Sequence, residues 1–236
     1  MIGENCYPDC EWVENPEEPV EPDFCDLPEN WEICYGGGEL EVPTVIINIE
    51  GEKVDPEEET KCFDKTQSAK LTVYVQQAKE GTRNDVGPNS VGHVFIGIEQ
   101  GNVSRYLGYY PPSSASSVGI ALGSDYNAEI RDNSGTMYHV SISKNITASQ
   151  LSSIIHYTNN FPSTYNLNTY NCTDFGINVG NLGGLNLPST SATGTMFTGR
   201  SPGHLGEDIR AMTVPPGVSK TGSKTNAPNK SGDCSN

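Results

Sequence analysis

The chain has 236 residues, 34% of them hydrophobic, and a formal net charge of −16, which suits one full domain with an appendage. The charge is concentrated, since residues 1–60 hold 19 of the 30 acidic residues and a single basic one, Lys53. Residues 61–236 are close to neutral, which argues against nucleic-acid binding through a basic surface, and no run approaches the ~18 apolar residues of a membrane span.

The start, MIGENCYPDCEW, has neither a basic nor an apolar signal region, so the expectation is either an intracellular protein or one already processed. Residues 1–43 are rich in Pro, Glu, Asp and Cys, an acidic arm that cannot bury much surface. TVIINI (44–49) reads as a first strand, followed by the acidic loop EGEKVDPEEETK. AKLTVYVQQ (69–77) alternates as a strand, and GTRNDVGPNS (81–90) is a turn-rich loop. VGHVFIGIEQGNVSRYLGYYPP is the clearest hairpin, with Val94, Ile96 and Ile98 on one face, His93, Phe95 and Glu99 on the other, and Gly101-Asn102 at the turn.

Residues 113–135 read mostly as loop with one short strand, and TMYHVSISK (136–144) alternates with Tyr138, Val140 and Ile142 on its apolar face. The period then changes. TASQLSSIIHYTNN opens on a capping-box pattern, Thr147 with Gln150, and places Leu151, Ile154 and Ile155 on one helical face. LNTYNCTDFGINVGNLGG (167–184) reads as a second capped helix, with Asn171 as N-cap, Cys172 at the first position and Gly183-Gly184 at the close. HLGEDIRAM (204–212) is a short helix, and residues 213–236 read as a loose tail. The expected fold class is α+β, a core over 44–212 with an antiparallel sheet and helices packed to one side.

Cysteines follow the charge. Cys6, Cys10, Cys25, Cys34 and Cys62 crowd the N-terminal part, Cys234 lies near the end, and Cys172 stands alone between Cys62 and Cys234. Six plus one implies three disulfides, one free thiol and an extracytoplasmic, oxidising compartment. A zinc site is the weaker alternative, because there are no CxxC pairs and no nearby histidine; no metal or other cofactor is expected.

A cysteine at the first position of a helix meets free N–H groups and the positive dipole end, which favour a thiolate and a depressed pKa. As a nucleophile it needs a base. Of the four histidines, His156 falls on the polar side of a helix, His204 near a helix start that disfavours imidazolium, and His139 on a strand face read as exposed. His93 follows Gly92 at the mouth of an apolar strand, where it can look across at a helix end.

GHVFIGIE, followed 79 residues after His93 by NCTDF at Cys172, resembles the circularly permuted branch of the papain-like fold, related to NlpC-type cell-wall amidases and the lecithin:retinol acyltransferase group. There the histidine strand comes first and the cysteine helix last. The similarity extends more loosely over about residues 61–212 and is shared with poorly characterised secreted proteins of Bacteroidota. It implies Cys172 as nucleophile, His93 as general base and the Cys172 N–H as one oxyanion donor. Tyr165 or Tyr170 would supply a second donor or wall the substrate pocket. The family's third member is a polar residue on the strand after the histidine, and NVSRYLGYY offers no carboxylate. A two-residue turn pairs Gln100 with Val103 and puts Tyr110 opposite His93, a weaker orienter than a carboxylate.

Two functions stand side by side. One is a secreted or cell-surface cysteine hydrolase cleaving an amide in a peptide or peptidoglycan stem, with a lipid acyltransferase or phospholipase as its nearest variant. The other is a non-catalytic binding or assembly protein whose acidic arm docks to a protein partner.

Overall fold

A computed structural model describes residues 47–88, 90–192 and 198–234. The acidic arm lies outside them, as do residues 44–46 of the expected first strand; Ile47 to Ile49 carry no strand. The elements in chain order are α1 (Pro56–Thr60), β1 (Ala69–Gln77), β2 (Gly92–Gln100), β3 (Val103–Tyr110), α2 (Ser117–Ala121), β4 (Tyr126–Asn127), β5 (Glu129–Asp132) and β6 (Met137–Tyr138). They continue with β7 (Val140–Ile146), α3 (Ala148–Asn159), β8 (Thr164–Tyr165), α4 (Cys172–Leu182), α5 (Pro202–Ala211), β9 (Val218–Thr221) and β10 (Thr225–Asn226). The fold is α+β.

The main sheet runs β5-β3-β2-β1-β7-β9, with every neighbouring pair antiparallel. The β2–β3 hairpin has the register set by its two-residue turn, Gln100 opposite Val103 and Phe95 opposite Gly108. Because strand side chains alternate, Leu71, Val73 and Val75 of β1 and Val94, Ile96 and Ile98 of β2 line one face. Leu151, Ile154 and Ile155 of α3, Phe175 and Val179 of α4, and Leu205 and Ile209 of α5 complete that cluster. A smaller cluster on the other face is aromatic: Tyr74, Phe95, Tyr106 and Tyr138, with Ala227.

Three expectations are corrected here. The strand read over 136–144 breaks at His139, so Tyr138 joins the aromatic cluster while Val140 and Ile142 stay on the helix side. The segment 113–135 holds a short helix, α2, capped by the Ser116 side chain, as well as strands β4 and β5. The tail is not loose: β9 pairs with β7, β10 pairs with β6, and Cys234 is bonded to Cys62 across a separation of 172 residues. Closing so long a loop removes up to ~5 kcal/mol of denatured-state entropy in the chain-entropy model.

Candidate active site

Helix α4 begins where the sequence places it. The Asn171 Oδ1 accepts from the Thr173 N–H at 2.8 Å, and Asp174 Oδ2 accepts from the Asn171 N–H at 3.0 Å, a reciprocal cap. The Asn171 Nδ2 donates to the carbonyls of Leu167 and Arg200, and the Arg200 Nε donates to Asp174 Oδ1 at 2.6 Å. These contacts leave little freedom to the first turn. Cys172 is therefore held at the helix mouth, 5% exposed, and is a free thiol.

The sulfur meets β2 at the backbone N–H of Val94, one residue past His93. Val94 and Thr173 both favour the thiolate, yet burial dominates and pushes the thiol up to about 11. The depressed pKa expected from the helix position is thus overturned: desolvation outweighs the dipole. His93 is 4% exposed, and burial pushes its imidazole down to about 3. At neutral pH the thiol and the imidazole are both uncharged.

Gly92 enters β2 with φ +82°, and a Cβ there would meet the Gln76 carbonyl oxygen at 2.4 Å, so this turn into His93 requires glycine. The His93 ring stacks on Tyr110, centroids 4.1 Å apart at 23°. Tyr110 is therefore beside His93 as the hairpin register implies, but it meets the ring face to face and its hydroxyl is occupied by Asn133 Nδ2 at 2.7 Å. The atom facing His93 Nε2 is Asn133 Oδ1. Both converge over Gly108, where a Cβ would lie 2.0 Å from Asn133 Oδ1 and 2.6 Å from His93 Nε2. Neither atom has another hydrogen-bond partner, and their own contact is poorly aligned in this resting arrangement.

The Asn133 amide is oriented by its Nδ2, which donates to Tyr110 and, at 3.2 Å, to Thr136 Oγ1. Its oxygen is then turned to the imidazole, an arrangement that favours the tautomer with the proton on Nε2. The sequence reading passed over Asn133 because it falls in the turn DNSG, where Asn is an ordinary turn former. The available signal was Gly108, a glycine in mid-strand opposite Phe95, which marks a close approach.

The two upstream tyrosines part company. Tyr165 is buried, stacks on Tyr109 with centroids 5.6 Å apart, and lies near enough to Cys172 that a thiolate there would disfavour its phenolate. Tyr170 places its hydroxyl on that of Tyr157 and takes a bond from Asn178 Nδ2 at 3.3 Å, so its polar end is committed to α3 and α4. The other histidines are accounted for. His139, read as exposed, is buried, and its Nδ1 accepts from the Gln77 N–H at 2.9 Å. His204 lies 3.5 Å from Asp85, and His156 is exposed. No group of three or more His, Cys, Asp or Glu able to hold a metal occurs among the described residues, and no helix among them is long and apolar enough to cross a membrane. Comparison with family models, curated proteins and solved structures finds no match.

Proposed function

We propose that the protein is a secreted or cell-surface cysteine hydrolase that cleaves an amide bond, in a peptide or peptidoglycan stem, on a permuted papain-like fold. One observation carries the reading: a free cysteine at a doubly capped helix start lies against the Val94 N–H of β2, the residue after a histidine whose Nε2 faces an amide oxygen. The chain order, histidine strand before cysteine helix, fits the permuted arrangement. The Cys62–Cys234 bond suits an oxidising compartment.

Because both groups rest neutral, proton transfer accompanies attack. The Cys172 sulfur bonds to the carbonyl carbon as its proton passes to His93 Nδ1, and the oxyanion is received by the Cys172 N–H. The imidazolium, stabilised by Asn133 Oδ1, then protonates the leaving amine as the C–N bond breaks. Water, deprotonated by His93, hydrolyses the thioester and restores the thiol.

A second reading, the non-catalytic scaffold, draws on the near-complete burial and raised pKa of Cys172. The two separate on trapping. Incubation with peptide and muropeptide amides, followed by mass spectrometry, yields an acyl adduct on Cys172 and a released amine if the hydrolase reading holds. Cys172→Ala abolishes both. A folded wild-type chain that never acylates across such a panel favours the scaffold.

A further inference from the structure

Cys172 and His93 are only 5% and 4% exposed, and a segment of this chain lies against Tyr110, whose ring stacks on His93. Residues 50–54 run along β5, the outer strand of the sheet: Asp132 N–H donates to the Glu52 carbonyl at 2.9 Å, Val54 N–H to the Ile130 carbonyl at 3.0 Å, and Lys53 bridges to Arg131. The Arg131 guanidinium grips the Gly51 carbonyl through Nε at 3.0 Å and Nη2 at 2.8 Å. Gly51 turns the chain at φ +72°, where a Cβ would lie 1.7 Å from the Asp132 carbonyl oxygen. Beyond this turn the Glu50 N–H faces the Tyr110 hydroxyl, on the ring that stacks against His93, and Ile47 is half-buried against the aliphatic core. The strap thus passes from the outer edge of the sheet to the aromatic wall of the site.

Its attachment is weak by comparison with the core. Gly51, Glu52 and Lys53 are exposed, the contacts are those of a single bridge rather than a strand, and the Lys53–Glu129 ion pair at 3.4 Å leaves the lysine side chain 68% exposed. Lys53 is also the only lysine or arginine among residues 1–60. Cys62 and Cys234 are bonded to each other on the C-terminal side of Lys53, so this disulfide does not tie the strap to the body.

We propose that Lys53–Val54 is a processing site for a protease that cuts after basic residues, and that the strap ending at Lys53 holds the Cys172–His93 site shut until that cut. Water divides the peptide bond into a Lys53 carboxylate and a Val54 amine; the strap then loses the covalent tether that keeps it on β5, and the Tyr110 edge of the site opens. The inference rests on the hydrolase reading for its purpose, but the closure itself is a separate geometric claim.

Limited trypsin digestion of the full chain, followed by mass spectrometry, tests both. Val54 is the expected new N-terminus, and the cut chain labels at Cys172 with a bulky maleimide about tenfold faster or more, as the competent fraction rises. Lys53→Gln resists the cut and stays slow. Gly51→Val unseats the strap without proteolysis and labels fast, with circular dichroism and a thermal melt confirming that it is folded. A folded, cut chain that labels at the intact rate overturns the proposal, as does digestion of the body while Lys53–Val54 survives. Acceleration that is unchanged in a His93→Gln background supports the closure and removes the dyad. His93-dependent labelling of equal rate before and after the cut does the reverse.

Discussion

One strand, β2, presents two faces that obey different rules. Toward α4 it shows Val94, Ile96 and Ile98, each 0% exposed, and Gly176 lets the helix come so near that a Cβ would meet Val94 Cγ1 at 2.3 Å. On the opposite face His93 and Phe95 meet Tyr110, Tyr74 and Asn133. The first face is bound by non-directional burial, so a change of shape costs in proportion to the volume lost. The second depends on assigned donors and acceptors, where removing one partner strands another. Stability is therefore concentrated on one side and directional hydrogen bonding on the other, although the residues alternate along one strand, and Cys172 approaches from the aliphatic side, at the Val94 N–H.

The largest effect expected falls on the aliphatic face. Ile96→Ala should cost about 2–5 kcal/mol in urea unfolding, as a fully buried branched side chain leaves a cavity. The His93-dependent labelling of Cys172 should persist in the folded fraction, since Ile96 points away from the imidazole. Loss of labelling in a variant still folded would show that the two faces are not separable.

Next in size is an acid effect confined to the other face. The folded state holds His93 neutral, with its pKa down at about 3, whereas the unfolded chain takes the proton near 6.5. Stability from this group is present above pH 6.5 and is lost as pH falls toward 3, by on the order of 3 kcal/mol at pH 4 as an upper figure. His93→Gln should flatten that part of the pH dependence, read as the difference between unfolding free energies at pH 7 and pH 4. Identical slopes in the two proteins would mean that the imidazole is not held neutral.

The same division explains what could be read from the sequence. The strand period, the Gly101-Asn102 turn and the Thr147 and Asn171 caps are local features, and each specifies its element within a few residues. Cys172 and His93 stood out because their positions on those elements are unusual. Asn133 comes from a turn after a four-residue strand and acquires its role only through pairing with β3, which no local period encodes. His139 was misjudged for a related reason, since the strand break at that residue reverses the face on which alternation places its neighbours. The tail VSKT has one buried apolar side chain, Val218, and joins the sheet through backbone bonds and Cys234 rather than through a hydrophobic pattern.

Gly108→Ala is the sharper probe of the polar face. The new methyl group would occupy the space where Asn133 Oδ1 and His93 Nε2 converge. Overpacking of this kind costs about 1–3 kcal/mol. The diagnostic readout is Cys172 alkylation, which should fall to the rate of His93→Gln even though neither Cys172 nor His93 has been altered. An unchanged rate would remove Asn133 from the site.

The smallest expected effect distinguishes a neutral dyad from an ion pair. In the wild type, burial holds the thiol at about 11, so iodoacetamide labelling of Cys172 should keep rising above the ~8.5 of an ordinary thiol. Asn133→Asp places a carboxylate where the amide oxygen faces Nε2, while the hydroxyls of Tyr110 and Thr136, now partners of Nδ2, can rotate to donate to it. A negative charge beside a buried imidazole favours imidazolium, and under the hydrolase reading, which brings that ring within reach of the sulfur, imidazolium favours thiolate. The labelling midpoint should therefore move downward by about one pH unit, equivalent to ~1.4 kcal/mol. A midpoint that stays in place while Gly108→Ala still slows labelling to the His93→Gln rate would mean that Asn133 acts only by holding the ring in position, its charge never reaching the sulfur.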